Sequence, residues 1–377
     1  MKKKEIIFSS LLVLPFCLHW LMPDGLERSF YVNIFGIPFF IPNICFIAYL
    51  LSHRNFKKKN DQFISLKKIS WLKILLLFLT LYTLLISIVN DIDGLILVMF
   101  NNQSFIISAI IYILFPLPNR FIKNTKYVII PTALILAFEV ILYSLGIVEY
   151  EKELGYLEYG GITRISTTVG AATGTGIAIA MLGAIILSYY DLSLKYKIAF
   201  ILLFSLSILF TISRGSILLW GLFIIFYTYK TYYSNSSFIV RINFLVVVSI
   251  IIAILNWMGA FNPVVERSND LVDNFDTGRI EKVENVIVLF QNSNGFGIGS
   301  GQTKLDKSIS NLVTRSTSLG AHNYYLSALA ELGVIGLGLI IFFILIIVSD
   351  FNFKNTISFF SILLLLITFP TEPVFTF

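Results

Sequence analysis

The sequence predicts an all-α integral membrane protein, a bundle of about eleven transmembrane helices. Of the 377 residues, 56% are hydrophobic and only 13% are charged, which is roughly half the charged fraction of a soluble domain. Apolar runs of about twenty residues, long enough for a helix to cross a bilayer, recur along the whole chain. Because a backbone in hydrocarbon must satisfy its own hydrogen bonds, such continuous runs favour a helix bundle over a β-barrel.

Eleven segments have the length and composition of membrane-spanning helices. The seventh and eighth are short and meet at Ser213, Arg214 and Gly215, where a tight hairpin fits better than one bent helix. Pro38 and Pro42 predict a kink in the second span, because proline removes a backbone donor from a helix. The predicted spans are residues 6–22, 31–51, 69–89, 95–115, 127–147, 166–189, 198–212, 216–229, 242–261, 323–349 and 356–369.

The loops between the predicted spans are alternately rich and poor in lysine and arginine, and this alternation sets the predicted orientation. Eighteen of them fall on the side of the N-terminus, including Lys2, Lys3 and Lys4, whereas the short loops of the opposite side hold only four. Because lysine and arginine accumulate in cytoplasmic loops, the N-terminus is predicted to be cytoplasmic. The net charge of +6 follows from this topology and gives no reason to expect nucleic acid as a partner.

One loop on the outer side, residues 262–321, is far longer than a connector needs. The whole chain, residues 1–377, is otherwise predicted as a single polytopic membrane domain. An amphipathic helix that lies on or beside the membrane is predicted to begin at Arg279. It is indicated by apolar residues that recur at helical spacing, namely Val283, Val286, Ile287 and Phe290.

Glycines recur at alternate positions in the same loop. Two interpretations are open: a turn that lets two backbones approach closely, or a nest of N–H groups that cradles a phosphate. The spacing does not fit a dinucleotide fingerprint, and the first interpretation is favoured. A second group of glycines, in the sixth span, is predicted to serve close helix packing. The first group is Gly295, Gly297, Gly299 and Gly301, and the second is Gly170, Gly174 and Gly176.

His322 is the histidine predicted at the outer membrane interface, directly before the tenth span, and Asn323 and Tyr324 follow it. Imidazole titrates near neutral pH and therefore suits a general base. A lone interfacial histidine is also often structural, and both interpretations stay open. Glu331 follows about 13 Å further along a helix, too far to orient the imidazole ring directly.

Three arginines are predicted at a comparable depth. Arg164 precedes the sixth span, Arg214 lies in the hairpin, and Arg279 opens the amphipathic helix. A helix beginning at Ser166 would place free N–H groups beside Arg164, an arrangement suited to an anion. Arginine near hydrocarbon usually faces a cavity or a partner, and its guanidinium matches phosphate bidentately. The alternative is that each arginine is an interfacial anchor whose charged end reaches the headgroups.

Several segments together resemble the O-antigen polymerase and ligase superfamily. Residues 321–336, which read AHNYYL and then AELGVIG around a three-residue spacer, are similar to its H-N-x-x-L…E-x-G-x-x-G signature. The Ser-Arg-Gly segment at 213–215 resembles its hairpin. The Gly-Arg pair at 278–279 and the GFGIG segment at 295–299 resemble its long periplasmic loop. The resemblance covers most of the chain from about Arg164 onward.

The resemblance implies a membrane-embedded glycosyltransferase with a GT-C-like bundle, on the periplasmic side of the bacterial inner membrane. It implies His322 as the base, Arg214 and Arg279 on the diphosphate of the donor, and Arg164 as a supporting contact or acceptor-side anchor. Asn323, Tyr324 and Glu331 are further supporting candidates in the same signature. It requires no metal, cofactor or nucleotide sugar. Asp91 and Asp93 lack a nearby third ligand, and a solvated turn is favoured there over a metal site.

The implied partners are glycans on undecaprenyl diphosphate as donor and acceptor, membrane lipids, and a chain-length regulator protein. A polymerase transfers the growing chain to a lipid-linked repeat unit, whereas a ligase transfers it to lipid A–core; the composition, rich in Ile, Phe, Asn and Lys, favours the polymerase. An alternative of another class is a flippase or other transporter of lipid-linked oligosaccharides. A flippase should carry polar residues through to the cytoplasmic side, whereas the arginines here concentrate at the outer face.

Overall fold

The structure is mostly helical, with two short β-hairpins that the all-α prediction does not include. The computed structural model describes residues 2–21, 31–34, 37–52, 71–90, 123–147, 157–159, 162–165, 167, 172–233, 279–299, 324–349, 360–361 and 363–364. In chain order its elements are α1 (Lys2–Leu21), β1 (Tyr31–Ile34), β2 (Ile37–Phe40), α2 (Ile41–Ser52), α3 (Trp71–Asn90), α4 (Lys126–Ser144), β3 (Leu157–Tyr159), β4 (Ile162–Arg164), α5 (Ala172–Tyr189), α6 (Leu194–Phe210), α7 (Arg214–Thr228), a π-helical turn (Tyr229–Tyr233), α8 (Arg279–Asn292) and α9 (Tyr324–Ser349).

The chain divides into two compact units. The first consists of Met1–Ile129, Gly278–Phe351 and Phe369–Phe377, and the second of Ile130–Thr277 and Asn352–Thr368. In the first unit, α9 packs against α3 and α8, and α1 packs against α2. In the second, α5, α6 and α7 pack against one another.

The second predicted span is wrong in its first half. Residues 31–40 form the antiparallel hairpin β1–β2, in which Tyr31 lies opposite Phe40, and only the 12 residues of α2 are helical. Both strands are rich in β-branched and aromatic residues, which favour extended backbone. Pro38 lies in β2 and Pro42 in the first turn of α2, where proline is tolerated, so neither kinks a span.

Other predicted spans coincide with helices. The first, third, fifth and tenth correspond to α1, α3, α4 and α9. Two helices, Lys126–Ser144 and Tyr325–Leu345, are long and apolar enough to cross a membrane by length and composition among the residues that the structure describes. The fourth and ninth spans and most of the eleventh lie outside those residues. The count of eleven and the orientation stay predictions.

The hairpin predicted around Arg214 is confirmed in the second unit. α6 ends at Phe210 and α7 begins at Arg214, joined by a turn in which Ile212 has a φ of 50°. The Trp220 indole N–H donates to Ser205 Oγ at 2.8 Å. Ser205 lies five residues before the end of α6 and Trp220 six residues after the start of α7, so the two helices run antiparallel and in contact.

Glycines of α5 let the hairpin approach closely. A Cβ on Gly176 would lie 2.6 Å from Ser216 Oγ, and one on Gly183 would lie 2.8 Å from the Trp220 ring. The predicted packing role is therefore confirmed for Gly176, and Gly183 has the same role. Small residues that allow such approach are typical of helix contacts in membranes.

Gly183→Ala is expected to destabilise the second unit by about 1–3 kcal/mol, the usual cost of forcing a methyl group into a well-packed core. Gly221→Ala in α7 is the matched control, because a Cβ there would meet nothing within 4 Å. It should leave stability unchanged or slightly raised, since alanine favours a helix. Thermal unfolding of the purified proteins in detergent measures both. Equal unfolding temperatures for the two variants would contradict the close packing.

Candidate functional site

The candidate site residues lie where secondary-structure elements begin or end. Arg214, Arg279 and Tyr324 are the first residues of α7, α8 and α9, and Arg164 is the last residue of β4. The helix predicted to begin at Arg279 is thus confirmed. His322 and Asn323 lie outside the described residues, just before α9.

The local environment predicted for Arg164 is wrong. Helix α5 begins at Ala172 rather than at Ser166, and Arg164 instead pairs with Leu157 in the hairpin β3–β4. The strand Leu-Glu-Tyr alternates in polarity, and the strand Ile-Thr-Arg contains two β-branched residues; both features favour a β-hairpin over the start of a helix. The prediction of a helix start at Ser166 is therefore wrong, and the role of Arg164 in the site stays a prediction.

The segment that follows Arg164 is fixed to α5. The Thr167 N–H donates to Thr175 Oγ1 at 3.1 Å, and the two hydroxyl oxygens are 3.0 Å apart. Ile165 and Thr167 are both buried. These contacts anchor the chain within about 10 Å of Arg164, the reach of three extended residues.

The start of α7 is held by a small cluster of buried hydroxyl groups. Ser213 caps the helix, because its side chain accepts the Ser216 N–H at 3.4 Å, and the two hydroxyl oxygens are 2.8 Å apart. Serine is a favoured N-cap residue for this reason. Thr211, in the same turn, donates to Ile208 O at 2.7 Å. Arg214 is thereby fixed as the first helical residue.

Two of the predicted arginines approach the same part of α5. The segment of Arg164 is anchored at Thr175, and the turn of Arg214 packs against the next residue, Gly176. The second unit therefore brings the backbones of Arg164 and Arg214 into one neighbourhood. Sequence spacing could not predict this, because the two arginines are fifty residues apart.

In the first unit, α9 is broken at Gly333. This residue has a φ of 67° and a ψ of −167°, a combination found almost only in glycine. The break separates a half-helix, residues 324–332, from the rest of α9. Glu331 is buried beside the break.

The glycine loop, residues 295–299, supplies hydrogen-bond partners for the backbone groups on both sides of the break. In a continuous helix the N–H of Val334 would donate to the carbonyl of Ala330. Here Val334 N donates to Gly295 O at 3.0 Å, and Ala330 O accepts from Ile298 N at 3.0 Å. Glu331 O accepts from the N–H of the last loop residue, Gly299, at 2.9 Å. The loop thus replaces the bonds that the break removes.

The backbones of the loop and the broken helix are in direct contact. A Cβ on Gly297 would collide with the carbonyl of Glu331, and a Cβ on Gly333 would collide with the carbonyl of Gly295. Gly297 has a φ of 90°, which other residues rarely adopt. The prediction that this glycine segment permits close backbone approach is therefore confirmed.

The phosphate-nest interpretation is wrong for residues 295–299, because each N–H of this segment already has an acceptor in the protein. The first three bond to the preceding turn: Gly295 N to Phe290 O at 3.0 Å, Phe296 N to Ser293 O at 3.1 Å and Gly297 N to Ser293 Oγ at 3.0 Å. The last two bond to the broken helix, as described above. An anion bound here would have to displace these bonds.

An apolar cluster fastens α8 to the half-helix. Val286 and Leu289 of α8 are buried against Ala330, and Ile298 and Leu326 pack around them. The predicted apolar face is confirmed at Val286. Ile287 is 43% exposed, and Leu289, which the predicted apolar set did not include, is buried.

Tyr82 of α3 also contacts the break, and no pattern in the sequence predicts this contact. Its hydroxyl donates to Leu332 O at 2.9 Å and lies 3.3 Å from Phe296 O. The residue stands in a 20-residue apolar helix, where one tyrosine among many apolar residues is unremarkable. Only the fold shows that it reaches two carbonyl groups far away in the sequence.

Residues 198–341 match the family model of the O-antigen ligase (Wzy_C) domain. The matched region includes most of α6, all of α7 and α8 and most of α9, and therefore the hairpin, the glycine loop and the break in α9. No curated protein and no solved structure matches the chain. The resemblance that the motifs indicated is confirmed over this region.

Gly297→Ala is expected to lower the yield and unfolding temperature of the protein severely, because its Cβ would collide with the Glu331 carbonyl. Gly338→Ala in α9 is the matched control, since a Cβ there meets nothing within 4 Å. Size-exclusion profiles and thermal unfolding of both variants measure the effect. A Gly297→Ala protein as stable as the control would show that loop and helix do not interlock.

Proposed function

We propose that this chain, whose match over residues 198–341 supports membership of the O-antigen polymerase and ligase superfamily, is a bacterial surface-polysaccharide polymerase. It would transfer a growing glycan from undecaprenyl diphosphate to a lipid-linked repeat unit on the periplasmic side of the inner membrane. O-antigen ligation, with lipid A–core as the acceptor, is the second candidate, because the matched family model carries that description.

The observation that carries the proposal is the interlock of two of the motifs that resemble the family. The glycine loop and the broken helix exchange backbone hydrogen bonds, and His322 immediately precedes that helix. Non-helical backbone within a membrane is tolerated only where protein surrounds it or where it lines a cavity. A break of this kind supports a site built around the half-helix.

The proposed reaction is a displacement at the anomeric carbon of the donor glycan. The acceptor sugar hydroxyl attacks this carbon while His322 takes the hydroxyl proton, and a new glycosidic bond forms. The bond between the anomeric carbon and the diphosphate oxygen breaks, and the lipid diphosphate leaves with the bonding electrons. Negative charge builds on the leaving group, so fixed cations would lower the barrier.

The positions of Arg214 and Arg279 support an anion-binding role. Each is the first residue of a helix, where the helix dipole is positive and a cation is unfavourable. A bound diphosphate would reverse this penalty, because it is attracted by the guanidinium and by the positive end of the helix dipole. Arg164 is proposed as a supporting contact, and Asn323, Tyr324 and Glu331 as parts of the surroundings of His322.

The test of the function is ladder formation by the purified protein supplied with lipid-linked repeat units. His322→Gln should slow elongation by about 10² to 10⁴, the usual contribution of a positioned base, because glutamine cannot take up the proton. Binding of the donor should survive. His53→Gln, in the predicted cytoplasmic loop, is the matched control. If wild-type protein moved these lipids across a vesicle membrane without elongating them, the flippase alternative would replace the polymerase.

Replacing Arg214 or Arg279 tests the diphosphate contacts separately. Alanine at either position should abolish elongation and weaken donor binding, whereas lysine should restore only part of the activity, since it keeps the charge but not the bidentate fork. Arg315→Ala, elsewhere in the long loop, is the control. Donor titrations and initial rates measure both effects. Full activity with alanine at both positions would reduce these arginines to interfacial anchors.

A further inference from the structure

Helix α3 contacts the break in α9, and so does the glycine loop. The Tyr82 hydroxyl of α3 lies 2.9 Å from Leu332 O, the last carbonyl before the break, and 3.3 Å from Phe296 O in the loop. A phenol has a single proton to donate. The hydrogen bond to Leu332 is therefore the principal one, and the longer contact draws the loop carbonyl to the same donor.

Gly336, the last glycine of the E-x-G-x-x-G segment, gives the Tyr82 ring its place. A Cβ at this position would collide with Leu332 Cβ, and it would also lie 3.2 Å from Tyr82 Cε1, so both the Leu332 side chain and the Tyr82 ring pass close to the helix backbone here. The two glycines of the segment thus have different roles. Gly333 makes the break, and Gly336 admits the ring whose hydroxyl reaches a carbonyl beside the break.

We propose that Tyr82 is a positioning residue for the transferase reaction. Its hydroxyl holds the half-helix against the glycine loop and so sets the angle of the half-helix, whose first residue, Tyr324, follows His322 by two positions in the sequence. This inference rests on the proposed function, in which His322 takes the proton from the acceptor. Tyr82 acts through the half-helix and does not touch the reacting atoms.

Because the half-helix is long, a small change in its angle to the rest of α9 displaces its first residue appreciably. Its nine residues extend about 13 Å from the break to Tyr324. A rotation of roughly 5° at the break would therefore displace the far end by about 1 Å, and a misplacement of this size can cost about 10² in rate. The Tyr82 hydroxyl bonds one residue before the break, and so close to the pivot a small displacement corresponds to a large change in the angle.

The experiment compares Tyr82→Phe with Thr80→Val in the full-length protein in lipid nanodiscs. Both changes remove one hydroxyl from α3, but Thr80 donates to Leu76 O of its own helix at 2.8 Å. Hydrogen exchange should be at least about tenfold faster in Tyr82→Phe at the interlocked amides of Ile298, Gly299 and Val334, because opening of the interlock becomes easier. It should be unchanged in Thr80→Val.

Elongation kinetics supply the second readout. In Tyr82→Phe, kcat should fall by about 10- to 100-fold while KM for the donor stays within about twofold, since a displaced base slows the chemical step without removing a diphosphate contact. Thr80→Val should keep the wild-type kcat. A merely structural tyrosine would lower the amount of folded protein and leave kcat per folded molecule unchanged.

Each result decides one part of the inference. Wild-type exchange rates in Tyr82→Phe would overturn the lock, and faster exchange with an unchanged kcat would overturn the positioning role. Faster exchange together with a lower kcat supports both parts. A wild-type protein that forms no ladder overturns the proposed function itself, and that failure is recognised before any variant is compared.

Discussion

The structure of the first unit depends on an exchange of backbone hydrogen bonds between a broken helix and a loop. An unsatisfied N–H or C=O group in hydrocarbon costs several kcal/mol, so α9 cannot break at Gly333 unless other groups take over its bonds. The glycine loop does this in both directions, as donor from Ile298 and as acceptor at Gly295. The positive φ of Gly333, the close contact at Gly297 and the buried apolar cluster all depend on this exchange.

The exchange also explains why α8 belongs to the site. Its C-terminal end leads directly into the glycine loop, and Val286 and Leu289 are buried against the half-helix. The polar interlock and the apolar contact therefore hold the same two helices together. Arg279 begins α8 and Tyr324 begins the half-helix, so one rigid assembly carries two of the segments named in the proposed function.

The sequence predicted most helices and the helical start at Arg279 because apolar periodicity and basic loops are strong local signals. It failed where local preference opposed the hydropathy pattern. Residues 31–40 are apolar enough for a span, but their β-branched and aromatic residues form a hairpin. The same preference placed Arg164 in a strand. Tyr82 could not be predicted, because its partners are more than two hundred residues away in the sequence.

The interlock has a consequence for the segment that carries His322. Residues 300–323 join Gly299 to Tyr324 in the sequence. Gly299 is fixed at the break, where it donates to the carbonyl of Glu331, and Tyr324 is the first residue of the half-helix that ends there. Changes within such a loop need not move its anchored ends, because the rigid scaffold beneath sets them. Under the proposed function, substitutions within residues 300–321 would therefore change the acceptor preference without displacing the half-helix.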